Sequence, residues 1–370
     1  MKYFFLIIFA GCISSCKKFK DDYLDVKNDT RTTVPTTIAD FQAILDDGLY
    51  TNGRDGAFNA QMSNMMGLLA GDEVYLKQQT LYDVSFSLHY FHRNVHLWED
   101  AIYLPDHDLT NDDWFTGYKR IFFSNLVLSG LAGIKPAGSE MQAWENAKGS
   151  ALFYRSYALY ELAQQYCKAY DPATAEKDPG LILRQEYDVT VTYPRTNLAR
   201  AYEMMLNDLQ ESIPLLPDRP MIVLRPSKAA AYAILARIHQ IMGNHAQAGV
   251  YAGKALEIWP SLLDFNNVQK AGTYTFKNDL AKSNPEVIFY AYTGTGLYSA
   301  SRMNIDSNLL LKYEPADLRR NLYYATRPAG NIYFIGSYYG GSTFFTGLAA
   351  DELYLIRAES YARENDVANA

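Results

Sequence analysis

The densest group of potential metal ligands lies in the segment LHYFHRNVHLWED, which contains three of the six histidines. His92 and His96 follow His89 at offsets of three and seven, so a helix would align the three side chains, with Glu99 and His107 close by. Neither an HExxH motif nor a cysteine accompanies these zinc-type ligands. An amphipathic stripe explains the same spacing, and we predict that no metal is bound here.

Acidic residues could supply calcium binding or general acid–base catalysis. The segment DHDLTNDDW is as rich in oxygen as a calcium loop but lacks the central glycine and final glutamate, so helix capping by Asp112 or Asp113 explains it better. Adjacent pairs such as Asp72 and Glu73 are expected by chance among 41 acidic residues, and no GxSxG, P-loop or GxGxxG motif occurs. We therefore predict no catalytic residue, no cofactor and no enzymatic activity.

The composition favours a globular protein with an aromatic surface. Of the 370 residues, 48% are hydrophobic and 14% aromatic, with 30 Tyr and 18 Phe against 4 Trp. A tyrosine can pack its ring and keep its hydroxyl in water, which suits a surface that meets polar ligands. The net charge is -7, or -8 once Lys2 is removed with a leader (-7 minus 1), and no basic run occurs. Nucleic-acid binding therefore has no electrostatic basis.

The N-terminus, MKYFFLIIFAGCISSCKKFK, has the pattern of an export signal. Its apolar run is far shorter than the roughly 20 residues that span a bilayer. The run ends in ISSC, which resembles a bacterial lipobox and predicts that residues 1–15 are removed and that Cys16 is lipidated. The alternative is an ordinary signal peptide with a chance cysteine. With the lipobox, Cys167 would be the one thiol left, and residues 16–36 would form a polar tether.

Helical periodicity governs most of the chain after Thr37. Apolar residues recur at helical spacing in TIADFQAILDDGLY, after TNDDW, and from Met141 to Tyr166, which we predict to be the longest helix. Helices return in RTNLARAYEMMLNDLQESIPLLP, after a proline-containing break in which LILRQEYDVTVTY alternates like a short hairpin. The period lapses over 261–347, which we predict to be an irregular, aromatic-rich insertion.

The segment SKAAAYAILARIHQIMGNHAQAGVYAGKALEIWP resembles the 34-residue tetratricopeptide repeat, a pair of antiparallel helices. Ala236, Ala248 and Ala255 would let the helices approach closely, and Gly243 would end the first helix in a left-handed conformation. Such repeats need neighbours to cover their apolar faces. The sequence therefore predicts a mainly α fold, a tetratricopeptide-like helical-repeat scaffold over 37–260 with an irregular loop and short-strand insertion.

The last residues, 348–370, fit the same repeat frame. Tyr354, Ala358 and Tyr361 take first-helix positions, and Asn365 takes the turn. We expect the first helix of an incomplete repeat unit, whose apolar face lacks a second helix. On that basis we also expect a frayed C-terminus and a chain that is less stable than a longer relative.

Several motifs, taken in their order along the chain, resemble the SusD/RagB family of outer-membrane lipoproteins. They are the lipobox-like ISSC, WFTGYKRIFFSNLVL, AKGSALFYRSYALYELAQQY, the repeat segment, DLRRNLYY and GLAADELYLIRAESYAR. The resemblance implies a lipid-anchored protein at the surface of the cell outer membrane. It also implies capture of an oligosaccharide or other oligomeric nutrient for a SusC-like TonB-dependent transporter. A helical-repeat adaptor for a protein or peptide is the alternative.

Binding a sugar requires flat aromatic faces for pyranose rings and polar groups for their hydroxyls. The candidate ligand-binding residues are Trp98, Tyr298, Arg302, Tyr338 and Tyr339. Core packing explains Trp98 equally well, and the glycine-flanked tyrosines of GSYYGG also fit a strand end and turn. Adjacent tyrosines in a strand point to opposite faces, so one of that pair could face solvent.

Overall fold

The chain divides into two compact units, Met1–Thr37 and Ile38–Ala370. Within the first unit, residues 34–37 are described, and the fold below is that of the second. Cys16, His89, Asp112, His107 and Tyr339, named above, lie outside the described residues, as do the signal peptide and most of the tether. The computed structural model describes residues 34–47, 65–84, 90–103, 113–270, 272–277, 284–294, 296–299, 301–328, 330–338 and 340–370.

The described part of the second unit is mainly helical, which confirms the predicted fold class. None of its helices combines the length and the low polarity that a bilayer span requires. The α-helices are α1 (Ile38–Leu45), α2 (Met65–Leu69), α3 (Gln78–Val84), α4 (Tyr90–His96), α5 (Asp113–Ala132), α6 (Met141–Tyr166), α7 (Leu198–Ser212), α8 (Lys228–Ile241), α9 (His245–Ile258), α10 (Ser307–Leu311), α11 (Leu318–Tyr323) and α12 (Ala350–Arg363).

The described strands are short and form antiparallel pairs. The pairs are β1 with β6, β2 with β3, β4 with β10, β5 with β9 and β7 with β8. The strands are β1 (Val74–Tyr75), β2 (Pro179–Ile182), β3 (Arg195–Asn197), β4 (Val287–Phe289), β5 (Tyr292–Thr293), β6 (Asn304–Ile305), β7 (Tyr324–Thr326), β8 (Ile332–Phe334), β9 (Phe344–Phe345) and β10 (Leu348–Ala349).

The hairpin predicted in LILRQEYDVTVTY is present in a different form. Its strands are β2 and β3, and most of the predicted segment is the loop between them. The reason lies on α5, where the Asn125 amide donates to the carbonyl oxygens of Arg184 and Glu186 at 3.0 and 3.2 Å. The Asn125 side chain thus forms hydrogen bonds with carbonyl groups that would otherwise accept from a neighbouring strand.

Helix α6 lies at the centre of the scaffold, packed between α5 and α7 and crossed by α1. Every residue from Gly149 to Ala163 is buried. A helix buried on all sides must satisfy its polar side chains with other elements. Accordingly, the hydroxyls of Tyr154, Ser156 and Tyr157 donate to backbone carbonyls of other segments at 2.9 to 3.1 Å.

A buried ion pair joins α6 to α7. The Arg155 guanidinium donates to both carboxylate oxygens of Asp208 at 2.7 and 2.6 Å, and also to the Asn125 side-chain oxygen on α5 at 2.9 Å. Such a two-pronged contact fixes geometry as well as charge. Three helices and the loop after β2 are therefore held by one connected set of polar groups.

A second buried pair, Arg120 of α5 and Glu161 of α6, is 3.7 Å apart. Burial raises the pKa of Glu161 to about 8, although the Arg120 charge acts in the opposite direction, and burial lowers the pKa of Arg120. Because the folded-state pKa of Glu161 lies above its unfolded value, its contribution to stability is complete at acid pH. That contribution is lost as the pH rises towards 8.

The predicted repeat unit is formed by α8 and α9. Ala236, Ala248 and Ala255 are fully buried between helices. Ser227 caps α8 by accepting a hydrogen bond from the amide of Ala230, and Gly243 ends it with a φ of 74°. The sequence pattern therefore predicted both the helix pair and its turn correctly.

Helix α12 packs against α9 and is tied to α8 by an ion pair. The Arg237 guanidinium donates to both carboxylate oxygens of Glu352 at 2.7 and 2.5 Å and to the Gly347 carbonyl oxygen at 2.7 Å. After α12, Asn365 adopts a φ of 61° in the predicted turn. Helix α12 therefore packs on the repeat unit, and its place as the first helix of a further repeat stays a prediction.

The close approach of α9 and α12 depends on Gly249. A Cβ atom there would lie 2.2 Å from the Ser360 hydroxyl oxygen and 2.5 Å from its Cβ, whereas a Cβ at Gly253 meets nothing within 4 Å. We predict that Gly249→Ala destabilises the protein by about 1–3 kcal/mol through overpacking. The matched Gly253→Ala should stabilise it by about 0.5–1 kcal/mol through helix propensity. Urea unfolding measures both, and equal effects of the two variants would contradict the packing described.

Candidate functional site

Trp98 lies just beyond α4 in an unusual backbone conformation. Its φ is 54°, in the left-handed region, and its amide donates to the Val95 carbonyl at 3.0 Å. The next amide, of Glu99, donates to the Asn94 carbonyl at 2.9 Å. These two bonds form a Schellman motif, which closes a helix and normally has glycine at the left-handed position.

The same motif closes α8 at Gly243 and α12 at Asn365, which are residue types that tolerate a positive φ. Tryptophan does not tolerate it well, and the left-handed conformation costs a residue with a Cβ about 1–2 kcal/mol. Burial of the indole does not offset this cost at Trp98, because the residue is 76% exposed. Strain of this kind collects at functional positions.

Helix α4, which ends two residues before Trp98, packs on a second, smaller apolar core, called here the small core. Val95 of α4 belongs to it. The small core is built from segments that are far apart in sequence, so the position of Trp98 depends on tertiary contacts. Its buried members are Met66, Leu69, Val74, Leu76, Val95, Leu297, Tyr298, Met303, Ile305 and Leu310.

Tyr298 is fully buried in the small core, so it cannot offer a ring face to a ligand in this conformation. Its hydroxyl donates to the Leu69 carbonyl at 3.0 Å and lies 2.7 Å from Nδ1 of His96. Burial raises the pKa of Tyr298 above its usual range and lowers the pKa of His96. The ligand role expected for Tyr298 is therefore replaced by contact with the last residue of α4.

Polar side chains hold the turn around Trp98. The Asn94 amide donates to the Ile102 carbonyl at 3.0 Å and to the Ala101 carbonyl at 3.3 Å. Arg93 donates to the Asn94 side-chain oxygen at 3.1 Å and lies 3.8 Å from the Glu99 carboxylate. The segment after α4 is thus folded back on the helix, which keeps the indole at a defined place on the surface.

Arg302 lies next to the small core and is exposed. It precedes Met303, a buried member of that core, and its carbonyl accepts a hydrogen bond from the Asn304 side chain at 3.1 Å. In the β1–β6 pair, Asn304 lies opposite Tyr75, whose side chain is half exposed. Tyr298 is thus a member of the small core, and Trp98, Arg302 and Tyr75 lie close in the chain to its members.

Sequence reasoning missed Tyr75 and Tyr82, which are 50% and 63% exposed on the segments before α4. Neither residue stands in a recognisable motif. The signal for Tyr75 was its position between the buried residues Val74 and Leu76, which leaves its own side chain outward, whereas Tyr82 lies on α3 and had no such signal.

Tyr338 follows β8 in the chain and contacts the first turn of α12. Its ring stacks on Phe345 with 4.9 Å between centroids, and its hydroxyl donates to the Asp351 carboxylate at 2.6 Å. Glu286 is close by, and burial raises the pKa of this carboxyl group. Tyr338 is therefore engaged by Phe345 and Phe276 through its ring and by Asp351 through its hydroxyl, and none of these contacts is with Trp98.

In the described part of the chain, no three potential metal ligands converge. His92 is buried, whereas Nδ1 of His96 is occupied by Tyr298 and Leu69.

A family model described as starch-binding and associating with the outer membrane matches residues 22–239, more than half of the chain. The chain belongs to the SusD-like family. This confirms the resemblance noted from the motifs, including the helical segment around α6. No curated protein matches the SusD-like chain significantly.

Solved structures share the fold of this SusD-like chain. One from Bacteroides vulgatus, described as a candidate sugar-binding protein, has a TM-score of 0.70 at 19% identity and covers 91% of this chain and 77% of its own. A SusD superfamily protein from Bacteroides thetaiotaomicron has a TM-score of 0.67 at 17% identity, and the match covers 90% of this chain and 78% of that protein. A laminarin-binding SusD-like protein has a TM-score of 0.54 at 14% identity, and the match covers 87% of this chain and 78% of that protein. At such identities the likeness concerns the fold alone.

The strain at Trp98 can be separated from the indole itself. Trp98→Gly should stabilise the protein by about 0.5–1 kcal/mol, because glycine adopts the left-handed conformation without steric cost and little buried surface is lost. Trp98→Ala keeps a Cβ at the strained position and should not give this gain. Thermal and urea unfolding measure the difference. A Trp98→Gly variant less stable than Trp98→Ala would contradict the strain, and a Trp98→Ala variant much less stable than the wild type would show that the indole is a packing residue.

Proposed function

We propose that this protein is a non-enzymatic, lipid-anchored surface protein that binds an oligosaccharide and passes it to a SusC-like TonB-dependent transporter. The observation that carries the glycan part is Trp98, an exposed indole kept on a strained turn. An indole face packs against the apolar face of a pyranose ring, and the neighbouring hydroxyls need polar partners. Arg302, exposed beside the same small core, would supply donors to those hydroxyls.

Membership of a family described as starch-binding supports an α-glucan as ligand, and the laminarin-binding neighbour supports a β-glucan equally. Tyr75 and Tyr82 extend the exposed aromatic surface near α4. Tyr338 and Tyr339 remain proposed ligand residues for a longer oligosaccharide, although Tyr338 would first have to leave its contact with Phe345. We propose no catalytic group, and the neighbours that are described by a ligand are described as binding proteins.

The proposals of a lipid anchor and of a transporter partner rest on the sequence and on the family description. Residues 1–15 would be the signal peptide, Cys16 the lipidated residue and 16–36 the tether that connects the membrane to the scaffold over 37–260. The insertion over 261–347 and the unit over 348–370 complete the proposed organisation. A lid over a transporter channel would need this arrangement, since a tethered protein stays near the channel at high effective concentration.

A helical-repeat adaptor for a protein or peptide is the second candidate function. It is favoured by a groove of about 600 Å³ between α9 and α12. One wall carries small residues such as Gly253, and the other carries Tyr354 and Tyr361. A groove of this shape suits a helix, so peptide binding without glycan binding would support the adaptor.

Glycan binding is tested by affinity electrophoresis of the soluble form lacking residues 1–16 in gels with soluble starch or laminarin. We expect retardation by at least one polysaccharide and its loss in Trp98→Ala, since the indole supplies the apolar face on which the sugar ring packs. Trp259→Ala, at the end of α9, is the matched control and should still be retarded. Retardation that is unaffected by Trp98→Ala, or absent with every polysaccharide, would contradict the proposed site.

Lipidation is tested by growth with radiolabelled palmitate. The intact chain should incorporate label and fractionate with membranes, and Cys16→Ala should abolish both because the acylated thiol is lost. Cys167→Ala is the matched control and should retain the label. Label in Cys16→Ala would show that the anchor lies elsewhere.

A further inference from the structure

The side chain of His96, two residues before Trp98, is half-buried and forms a triangle of polar atoms with Tyr298 and Leu69. Nδ1 of His96 lies 2.7 Å from the Tyr298 hydroxyl and 3.3 Å from the Leu69 carbonyl oxygen. The Tyr298 hydroxyl lies 3.0 Å from the same carbonyl. The two rings meet edge to face, with 5.6 Å between centroids.

The number of hydrogens in this triangle determines the tautomer of His96. With the proton on Nδ1, His96 donates to the Tyr298 oxygen and the Tyr298 hydroxyl donates to the Leu69 carbonyl, so every group is satisfied. With the proton on Nε2, two acceptors, Nδ1 of His96 and the Leu69 carbonyl oxygen, would compete for the single hydrogen of Tyr298. One lone pair would then face another, and an unsatisfied buried acceptor costs about 1–3 kcal/mol. The Nδ1-protonated form is therefore favoured.

The other ring nitrogen, Nε2, makes no hydrogen bond to any described residue and is not among the fully buried, unpaired polar atoms. In the Nδ1-protonated tautomer Nε2 carries a lone pair and can only accept. A hydroxyl is the natural donor for such an atom. The same turn presents Trp98, which provides a face for the ring that carries the hydroxyl.

We infer that His96 is a further ligand-binding residue: Tyr298 and Leu69 hold its proton on Nδ1, so that Nε2 accepts a hydrogen bond from a hydroxyl of the glycan that stacks on Trp98. Tyr298 is then a positioning residue that acts through His96. This inference rests on the proposed glycan site and adds a specific acceptor to it. It also makes binding dependent on pH.

Protonation of His96 turns Nε2 from an acceptor into a donor, so affinity should fall as the pH drops through the pKa of His96, which burial lowers from 6.5. The other charged and titratable groups around it are Tyr298, which contacts it, Glu73, which acts on Tyr298, and His92, Arg93 and Glu99 on α4 and its turn. A variant that removes His96 alone distinguishes its titration from theirs.

The binding test compares two substitutions by calorimetry with the polysaccharide, soluble starch or laminarin, that retards the wild-type protein. His96→Asn keeps an amide donor at the Nδ1 position and removes the distal acceptor, so it should lower affinity about fivefold, the equivalent of one hydrogen bond. His96→Gln places its amide oxygen near the Nε2 position and should retain most of the affinity without the loss at acid pH. His245→Asn is the matched control, because His245 is also half-buried and bonded through Nδ1, and it should bind like the wild type.

The tautomer is tested without a ligand. In ¹⁵N-histidine-labelled protein above pH 7, His96 should give the two-bond correlation pattern of the Nδ1-protonated form. Tyr298→Phe should shift the signal towards the Nε2-protonated form, whereas Tyr154→Phe, which also removes a buried hydroxyl bonded to a backbone carbonyl, should not.

The outcomes separate this inference from the proposed function. An Nε2-protonated His96 in the wild-type protein overturns the inference whatever the ligand. Full affinity in His96→Asn, together with loss of affinity in Trp98→Ala, also overturns it and leaves the glycan site intact. Full affinity in Trp98→Ala overturns the glycan site itself. Loss in both variants, with the Nδ1 tautomer observed, supports the whole assignment.

Discussion

The requirement that a fully buried helix satisfy its own polar groups organises this structure. Helix α6 has no solvent-facing side between Gly149 and Ala163, yet it carries an arginine, a glutamate, serines and tyrosines there. Leaving such groups unpaired would cost more than the surrounding apolar contacts gain. Arg155, Ser156, Glu161 and the tyrosines reach partners on other elements, and these partners help to fix where those elements lie. Arg155 reaches α7 and α5 in this way, and Tyr157 reaches the Thr346 carbonyl at the end of the insertion.

The candidate site differs from α6, because unfavourable features are kept there rather than removed. Around Trp98 the protein accepts a cost in backbone strain and leaves a large apolar face in water. The small core supports that arrangement through Val95, and the triangle of His96, Tyr298 and Leu69 connects it to segments more than two hundred residues away in sequence. A rigid mounting of this kind keeps an aromatic face in place before a ligand arrives, which lowers the ordering cost of binding.

Local patterns in the sequence predicted the scaffold well, because the determinants of a repeat are local. Alanines at helical spacing and Gly243 at the turn specify the α8–α9 pair within thirty residues, and α6 was located to its ends by periodicity. The candidate site was harder to predict from the sequence. Nothing in HLWED distinguishes an exposed tryptophan on a left-handed turn from a core residue. The burial of Tyr298 depends on its distant contact with Leu69, which no local pattern encodes. Tyr338 was grouped with Trp98 by composition, whereas its position is set by Phe345 and Asp351.

The central claim is that Trp98 is the aromatic face that receives the glycan. Fluorine NMR of protein labelled with 5-fluorotryptophan tests it most directly, because the chain has four tryptophans and each gives one resonance. The Trp98 resonance is assigned as the one lost in Trp98→Phe. Titration with soluble starch or laminarin should shift or broaden this resonance and leave those of Trp114, Trp144 and Trp259 unchanged. A ligand that perturbs any of the other three while the Trp98 resonance stays fixed would contradict the account.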